Sequence, residues 1–323
     1  MKVLLPTTMD TVITAPPGVE TVEYDPAQEI PPEHRDAAVL VVWGNSRRQL
    51  AWCAKHLPEL QWAASLAAGV DALQGAGFGP QVTITSARGL HSRPVAEHAL
   101  MLALVAARRF DLMHGARLAG RWESSLGGIQ APGIQHNSTA TSHGFPGLST
   151  LENACVTIWG FGSIGQALAP MLTLLGARVI GVARTAESRD GYVTVTEKEL
   201  PQVLKHTDIL ISVLPSTEST ESIVNADVFS GLPSHAWFIN VGRGSTVDES
   251  ALVAALHHGD IGGAALDVTR KEPLPADSPL WDAPNLVITP HAAGGRPEGV
   301  AHFLEQNLAA FIAGEPLENV VDR

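Results

Sequence analysis

Gly160-Phe161-Gly162-Ser163-Ile164-Gly165 stands directly after the β-branched run Ala154–Trp159 and opens the apolar stretch Ser163–Leu175. A second such run, Arg178–Val182, follows. Strand, glycine turn, helix and strand thus fit within about 30 residues, the span of a βαβ unit that binds a dinucleotide. Each glycine has a task in such a unit: a tight turn, close backbone approach to a pyrophosphate, and close packing of helix on strand. Gly160, Gly162 and Gly165, with Ser163 and Ile164 in the first helical turn, are the expected phosphate-binding residues. First-turn N–H groups have no intrahelical acceptor and carry partial positive charge, which suits an anion.

The alternation continues outward. Downstream, Ile209–Val213, Trp237–Val241, Gly263–Asp267 and Leu286–Thr289 read as strands, with helices at Glu197–Lys205 and Asp248–His257. Upstream, Lys2–Leu5, Ala38–Val42 and Val82–Thr85 read as strands and Gln49–His56 as a helix. Leu60–Leu73 gives a short strand, then a small-residue turn at Ala67-Ala68-Gly69. Pro94 opens an apolar helix predicted over Val95–Met113, where proline suits a first turn. Val300–Ala313 reads as a returning helix, and Gly127–Thr150, rich in Gly, Ser, Thr, Pro and His, as a loop. Short strands alternating with helices predict an α/β chain with parallel sheet covered on both faces.

Where the second strand of the glycine unit ends, an acidic residue commonly meets the free ribose hydroxyls of an adenosine. Val182-Ala183-Arg184-Thr185 places Ala and Arg there instead. A guanidinium can pair a 2′-phosphate in bidentate fashion, and the missing carboxylate removes a repulsion. This favours NADP over NAD. Glu187 and Asp190 lie close enough in sequence to keep NAD open.

The 323 residues suffice for about two domains. With 45% hydrophobic and 17% charged residues, wholesale disorder is excluded. The longest uncharged apolar run, Ala99–Ala107, has nine residues, against the roughly 20 that cross a bilayer. Met1–Pro6 reads as a strand rather than a secretion signal, so a cytoplasmic protein is expected. A net charge of −12 argues against nucleic-acid and anionic-membrane partners, which need a basic surface. Cys53 and Cys155 read as reduced, buried thiols. No metal is expected: His136 and His143 read as loop residues, and His257-His258 before Gly259 as a helix C-terminus. The absence of a Gly-x-Ser-x-Gly elbow counts against a serine hydrolase.

Three further segments end or follow strands: Phe238-Ile239-Asn240-Val241-Gly242-Arg243-Gly244, then Ala265–Pro275, then Ile288-Thr289-Pro290-His291-Ala292-Ala293-Gly294. Ligands of doubly wound sheets bind beyond the carboxyl ends of strands, so all three can reach one crevice. An Arg, a Glu and a His there have the chemistry to reduce a 2-oxo acid. With these segments the sequence resembles the D-isomer-specific 2-hydroxyacid dehydrogenases, which include glyoxylate/hydroxypyruvate reductases and D-lactate, D-glycerate and D-3-phosphoglycerate dehydrogenases. Arg243 stands in Asn-Val-Gly-Arg-Gly, Glu272 before Pro-Leu-Pro and His291 in Thr-Pro-His-Ala-Ala-Gly, at separations of 29 and 19 residues. Leu66–Asp71 resembles the family's substrate-carboxylate loop, and Val95-Ala96-Glu97-His98 its interdomain helix.

The resemblance implies two doubly wound parallel-sheet (Rossmann/flavodoxin-like) domains with an interdomain cleft. Residues 1–97 with 294–323 would bind substrate, and 98–293 the dinucleotide. His291 would be the general acid in reduction, a task suited to imidazole. Glu272 would orient its ring, and Arg243 would hold the substrate carboxylate and carbonyl, helped by the backbone of Ala68, Gly69 and Val70. Cofactor contacts are expected at the glycine turn, Arg184, Thr185, Leu214, Pro215, Val241, Gly242, Arg243, Asp267 (near the nicotinamide carboxamide), His291, Ala293 and Gly294. The implied partners are a small anionic 2-oxo or 2-hydroxy acid and a second copy of the chain. Gly127–Gly147, where family members often make dimer contacts, is longer and more polar than the usual connector. The rivals are a D-3-phosphoglycerate dehydrogenase, whose longer members carry a regulatory domain not expected here, and a dinucleotide-sensing binding protein like the co-repressors of this fold.

Overall fold

The computed structural model describes residues 1–126 and 150–321; the loop expected over Gly127–Thr150, including His136 and His143, lies almost wholly outside them. The chain divides into two compact units, Met1–Pro94 with Arg296–Arg323 and Val95–Gly295. In the first, β1 (Lys2–Pro6), β2 (Glu20–Tyr24), β3 (Val39–Val42), β4 (Trp62–Ser65) and β5 (Thr83–Thr85) form a parallel sheet in the order β2-β1-β3-β4-β5. Helix α1 (Arg47–His56) starts where the Ser46 hydroxyl accepts from the Gln49 N–H, and α2 (Asp71–Gln74) follows β4. Successive strand residues point to opposite faces. Leu4, Leu40, Ala63 and Ile84 pack with Leu50, Cys53 and Leu73 on one side. Val3, Val39, Val41 and Trp62 pack with Phe303, Leu304 and Leu308 of the C-terminal helix Val300–Ala313 on the other.

The second unit begins with most of α3 (Ser92–Arg108) and with α4 (Phe110–Leu118). Its sheet comprises β6 (Cys155–Trp159), β7 (Arg178–Val182), β8 (Thr194–Val195), β9 (Ile209–Ser212), β10 (Trp237–Asn240), β11 (Gly263–Leu266) and β12 (Leu286–Ile288). All seven are parallel, in the order β12-β11-β10-β9-β6-β7-β8. Helices α5 (Ser163–Leu174), α6 (Leu200–Leu204), α7 (Ala226–Ser230) and α8 (Glu249–His258) fall between strands; Val300–Ala313 is α9. Ile158, Ile211 and Ile239 pack against α3 and α5 on one face, through Leu102 and Leu168. Leu210, Phe238 and Leu266 pack against α7 and α8 on the other, through Phe229 and Leu252. The chain runs outward from β6 in both directions, which makes the β6/β9 boundary the switch point where doubly wound sheets bind ligands.

The structure corrects several expectations. The single helix expected over Val95–Met113 starts earlier, at Ser92, and is broken at Arg109, whose φ of 49° ends α3 and starts α4. Arg109 is turned by its own buried side chain. The guanidinium forms two bonds to Asp111, one to Asn285, and lies over the Trp237 ring. The helix expected over Glu197–Lys205 contracts to α6. Strands β2 and β8 and helices α2 and α7 add to the expected elements. Cys53 is buried and free, with burial pushing its thiol up to about 12, whereas Cys155 is free but only half-buried. Gly259 closes α8 in the left-handed conformation, as the sequence predicts.

Candidate active site

Strand register lines up the site. Val182 pairs with Trp159, Trp159 with Ser212, Ser212 with Asn240, Asn240 with Leu266 and Leu266 with Ile288. The segments after β6, β7, β9, β10, β11 and β12 therefore leave one edge of the sheet at one level. They carry nearly all the expected site residues of this unit. After β6 comes the glycine turn. Gly160 has φ of 100°, and a Cβ there would stand 2.7 Å from the Val213 carbonyl oxygen, so only glycine fits. Gly162 is the N-cap of α5, and nothing lies within 4 Å of where its Cβ would be. Open space in front of a helix N-terminus fits a dinucleotide pyrophosphate.

Around this turn, Leu214, Val241, Gly242 and Ala293 are buried, Gly294 is half-buried, and Arg184, Thr185 and Pro215 are exposed. Arg243 sits at the start of a segment held by buried Asn240, whose side-chain amide donates to the Arg243 carbonyl and whose amide oxygen accepts from the Gly242 N–H. The Arg243 guanidinium donates to the Gly242 carbonyl at 2.7 Å. Gly244 then touches the Thr269 backbone so closely that a Cβ would overlap it, which locks the loop after β10 onto the loop after β11. Arg270 fastens the same junction through Glu221 and the Ser245 and Val247 carbonyls.

Glu272, three residues beyond Thr269, accepts from the Thr269 N–H through one oxygen. The other lies 2.7 Å from His291 Nδ1. Both side chains remain partly exposed, and His291 Nε2 has no protein partner among the described residues. The arrangement is a carboxylate-oriented imidazole that can exchange a proton through its second nitrogen.

Asp267, expected near the nicotinamide carboxamide, holds the protein segments around it. It is buried, and its carboxylate accepts from the Thr289 hydroxyl at 2.6 Å, the Ala292 N–H at 2.9 Å and the Ala293 N–H at 3.0 Å; His98 Nε2 is 3.2 Å away. Its carbonyl accepts from the His291 N–H at 2.7 Å. Because the Thr289 hydroxyl proton points to Asp267, the Thr289 oxygen accepts from His98 at 3.0 Å. Burial alone would raise the Asp267 carboxyl, but these hydrogen bonds outweigh it and bring it down to about 2. Asp267 thus ties down the loop that carries His291. His98 and Thr289 as members of this network were missed in the sequence, since nothing in a helix face announces a partner on a distant strand.

Ala68, Gly69 and Val70 belong to the other unit. They follow β4, where the Ser65 hydroxyl braces the turn by accepting from the Ala67 N–H, and Val70 starts α2. No group of three or more His, Cys, Asp or Glu side chains able to hold a metal is present among the described residues.

Residues 100–293 match the family model described as D-isomer specific 2-hydroxyacid dehydrogenase, NAD binding domain. A glyoxylate/hydroxypyruvate reductase A of Salmonella newport is 38% identical over 176 residues, spanning 54% of this chain and 56% of that protein. Among solved structures, a D-isomer specific 2-hydroxyacid dehydrogenase from Xanthobacter autotrophicus Py2, in complex with NADPH and MES, is 31% identical with a TM-score of 0.76. The NADPH-dependent glyoxylate/hydroxypyruvate reductase of Sinorhizobium meliloti, in complex with NADP and sulfate, is 28% identical with the same TM-score. In both structural comparisons the match covers 99% of this chain and 98% of the other.

Proposed function

Because the chain belongs to the D-isomer specific 2-hydroxyacid dehydrogenase family, we propose that it reduces small 2-oxo acids of the glyoxylate/hydroxypyruvate type, with NADP preferred over NAD. The observation that carries this reading is the 2.7 Å contact between Glu272 and His291 Nδ1, on the sheet edge that also presents the glycine turn and Arg243. A reduced nicotinamide dinucleotide, when bound, supplies hydride to the carbonyl carbon. His291 Nε2 donates the proton to the carbonyl oxygen, and accepts it back when a D-2-hydroxy acid is oxidised. Glu272 fixes the ring and balances the charge of its protonated form. Arg243 pairs with the substrate carboxylate and stabilises negative charge developing on the carbonyl oxygen. The N–H groups of Gly69 and Val70, beside Ala68, are proposed for the same carboxylate on the resemblance of their loop.

Two facts support NADP: exposed Arg184 at the end of β7, and relatives solved with NADPH or NADP. A homodimer in the cytoplasm completes the reading. The outer side of α3 and α4 supports the dimer, since Met101, Phe110 and Leu118, with Trp122 just beyond, are exposed apolar side chains. Two free cysteines fit a reducing compartment. No helix among the described residues is long and apolar enough to cross a membrane.

The test is consumption of NADPH and NADH with glyoxylate, hydroxypyruvate, pyruvate and phosphohydroxypyruvate. Turnover of glyoxylate or hydroxypyruvate, faster with NADPH, is expected. NADPH binding without turnover of any of the four would replace the enzyme by a nucleotide-sensing binding protein. A marked preference for phosphohydroxypyruvate would move it to the phosphoglycerate dehydrogenases.

A further inference from the structure

Beyond β7 the chain builds a small polar cluster that has no part in the proposed proton transfer. Arg189 reaches back to the glycine turn, where Nη1 donates to the Phe161 carbonyl at 3.2 Å. Its Nη2 donates to Thr185 Oγ1 at 2.8 Å and to Glu187 Oε1 at 2.9 Å. Thr185 donates to the same Glu187 oxygen at 3.0 Å. The Glu187 backbone is fixed as well, since its N–H donates to the Thr194 hydroxyl of β8, which in turn donates to the Glu187 carbonyl. The Thr185 hydroxyl and then Arg189 hold the Glu187 carboxyl below the ordinary carboxylate range, so it is ionised near neutrality. Arg184, next to Thr185, makes no side-chain hydrogen bond or ion pair among the described residues.

Donors anchored beside a glycine turn and aimed at one anionic oxygen form a receptor for an oxyanion. The oxyanion already there belongs to the protein. A phosphate monoester brings more charge and three acceptor oxygens to the same donors, and a guanidinium matches it better than it matches one carboxylate oxygen. Resting on the NADP reading above, we propose that Glu187 is an internal competitor for the adenosine 2′-phosphate. It occupies Thr185 and Arg189, and must release them when that phosphate binds. Arg189 is then a specificity residue alongside Arg184, and Glu187 limits how strongly NADP is preferred over NAD.

The test measures binding of adenosine 2′,5′-bisphosphate and of adenosine 5′-monophosphate to the intact chain by calorimetry. Glu187 is more than half exposed, so Glu187→Gln leaves the fold intact. This variant is expected to bind the bisphosphate about fivefold more tightly, the scale of an exposed ion pair. Arg189→Gln is expected to bind it about tenfold more weakly, through loss of a charge-assisted contact. Neither variant should change monophosphate binding by more than about twofold. Unchanged or weaker bisphosphate binding by Glu187→Gln would overturn the proposal. So would weaker monophosphate binding, which would assign Glu187 to the ribose hydroxyls. Wild-type protein that binds neither NADP nor NAD would remove the dinucleotide reading itself, whereas NADP binding with an indifferent Glu187→Gln would remove only this inference.

Discussion

His291 holds φ at 53°, a conformation that costs a non-glycine residue about 1 kcal/mol or more. The Asp267 carbonyl accepts from the His291 N–H and its carboxylate from the next two N–H groups, which offsets that cost, so one buried residue keeps the imidazole in place. His291→Ala is expected to lower kcat by about 10²–10⁴-fold while the NADPH dissociation constant changes far less, checked by steady-state kinetics beside equilibrium binding. Asp267→Asn is expected to lower kcat as well, because the loop loses its anchor, and to change the response to acid. The Asp267 carboxyl lies at about 2 when folded against an ordinary 3.8, so its stabilisation is complete above about 4 and is lost as pH falls toward 2. Urea midpoints measured across that window should fall less steeply for the Asn variant, by the equivalent of about 2 kcal/mol. Equal slopes would show that the carboxylate is not held this way. The Glu272–His291 pair was legible because type and spacing together are distinctive. The work of Asp267 was not, because its side-chain partners His98 and Thr289 meet it only in the folded sheet.

At the scale of elements, the short edge strand β12 is pinned at both ends by the helices before the sheet. Arg109, at the α3/α4 break, donates to Asn285 just before it, and His98 of α3 donates to Thr289 just after it. Arg109→Ala strands Asp111 without its guanidinium and frees the start of β12. A loss of about 3 kcal/mol in denaturant unfolding is expected, the scale of a broken buried ion pair. A loss below about 0.5 kcal/mol would mean that the break is held by apolar packing alone. Such contacts explain which elements the sequence announced. The buried strands β3, β4, β6, β9 and β10 are short, mostly apolar runs set between turn and helix signals, the pattern of a sheet covered on both faces. Strand β2, Glu20-Thr-Val-Glu-Tyr24, is a mostly exposed edge whose charges hide it, and β8 has two residues. The break at Arg109 stayed hidden because a helix pattern carries no mark of a buried arginine whose partners Asn285 and Trp237 lie far along the chain.

For the whole molecule, an acidic chain of net charge −12 that binds anions must gather positive potential locally. The α5 N-terminus, Arg184, Arg189 and Arg243 all lie in segments leaving the same sheet edge. The end of α4 and the segment after it bear on the proposed assembly: Leu118 is 68% exposed and Trp122 94%, a poor arrangement for a lone chain. Replacing both by Lys should bring the mass in light scattering down from that of the proposed dimer to that of a monomer while leaving the far-ultraviolet spectrum unchanged. A dimer mass kept by the variant would place the contact elsewhere, and a monomer mass for the unaltered chain would remove the proposed dimer. The position of β12 carries one more consequence. The proposed proton donor hangs from the last and outermost strand, while the cofactor turn grows from a central one. Local opening that costs less than global unfolding starts at such margins. Catalysis should therefore fail at lower denaturant than opens the glycine turn, and amide exchange at Leu286–Ile288 should outpace exchange at Cys155–Trp159. Turnover would thus register fraying of this margin while the rest of the molecule is still intact.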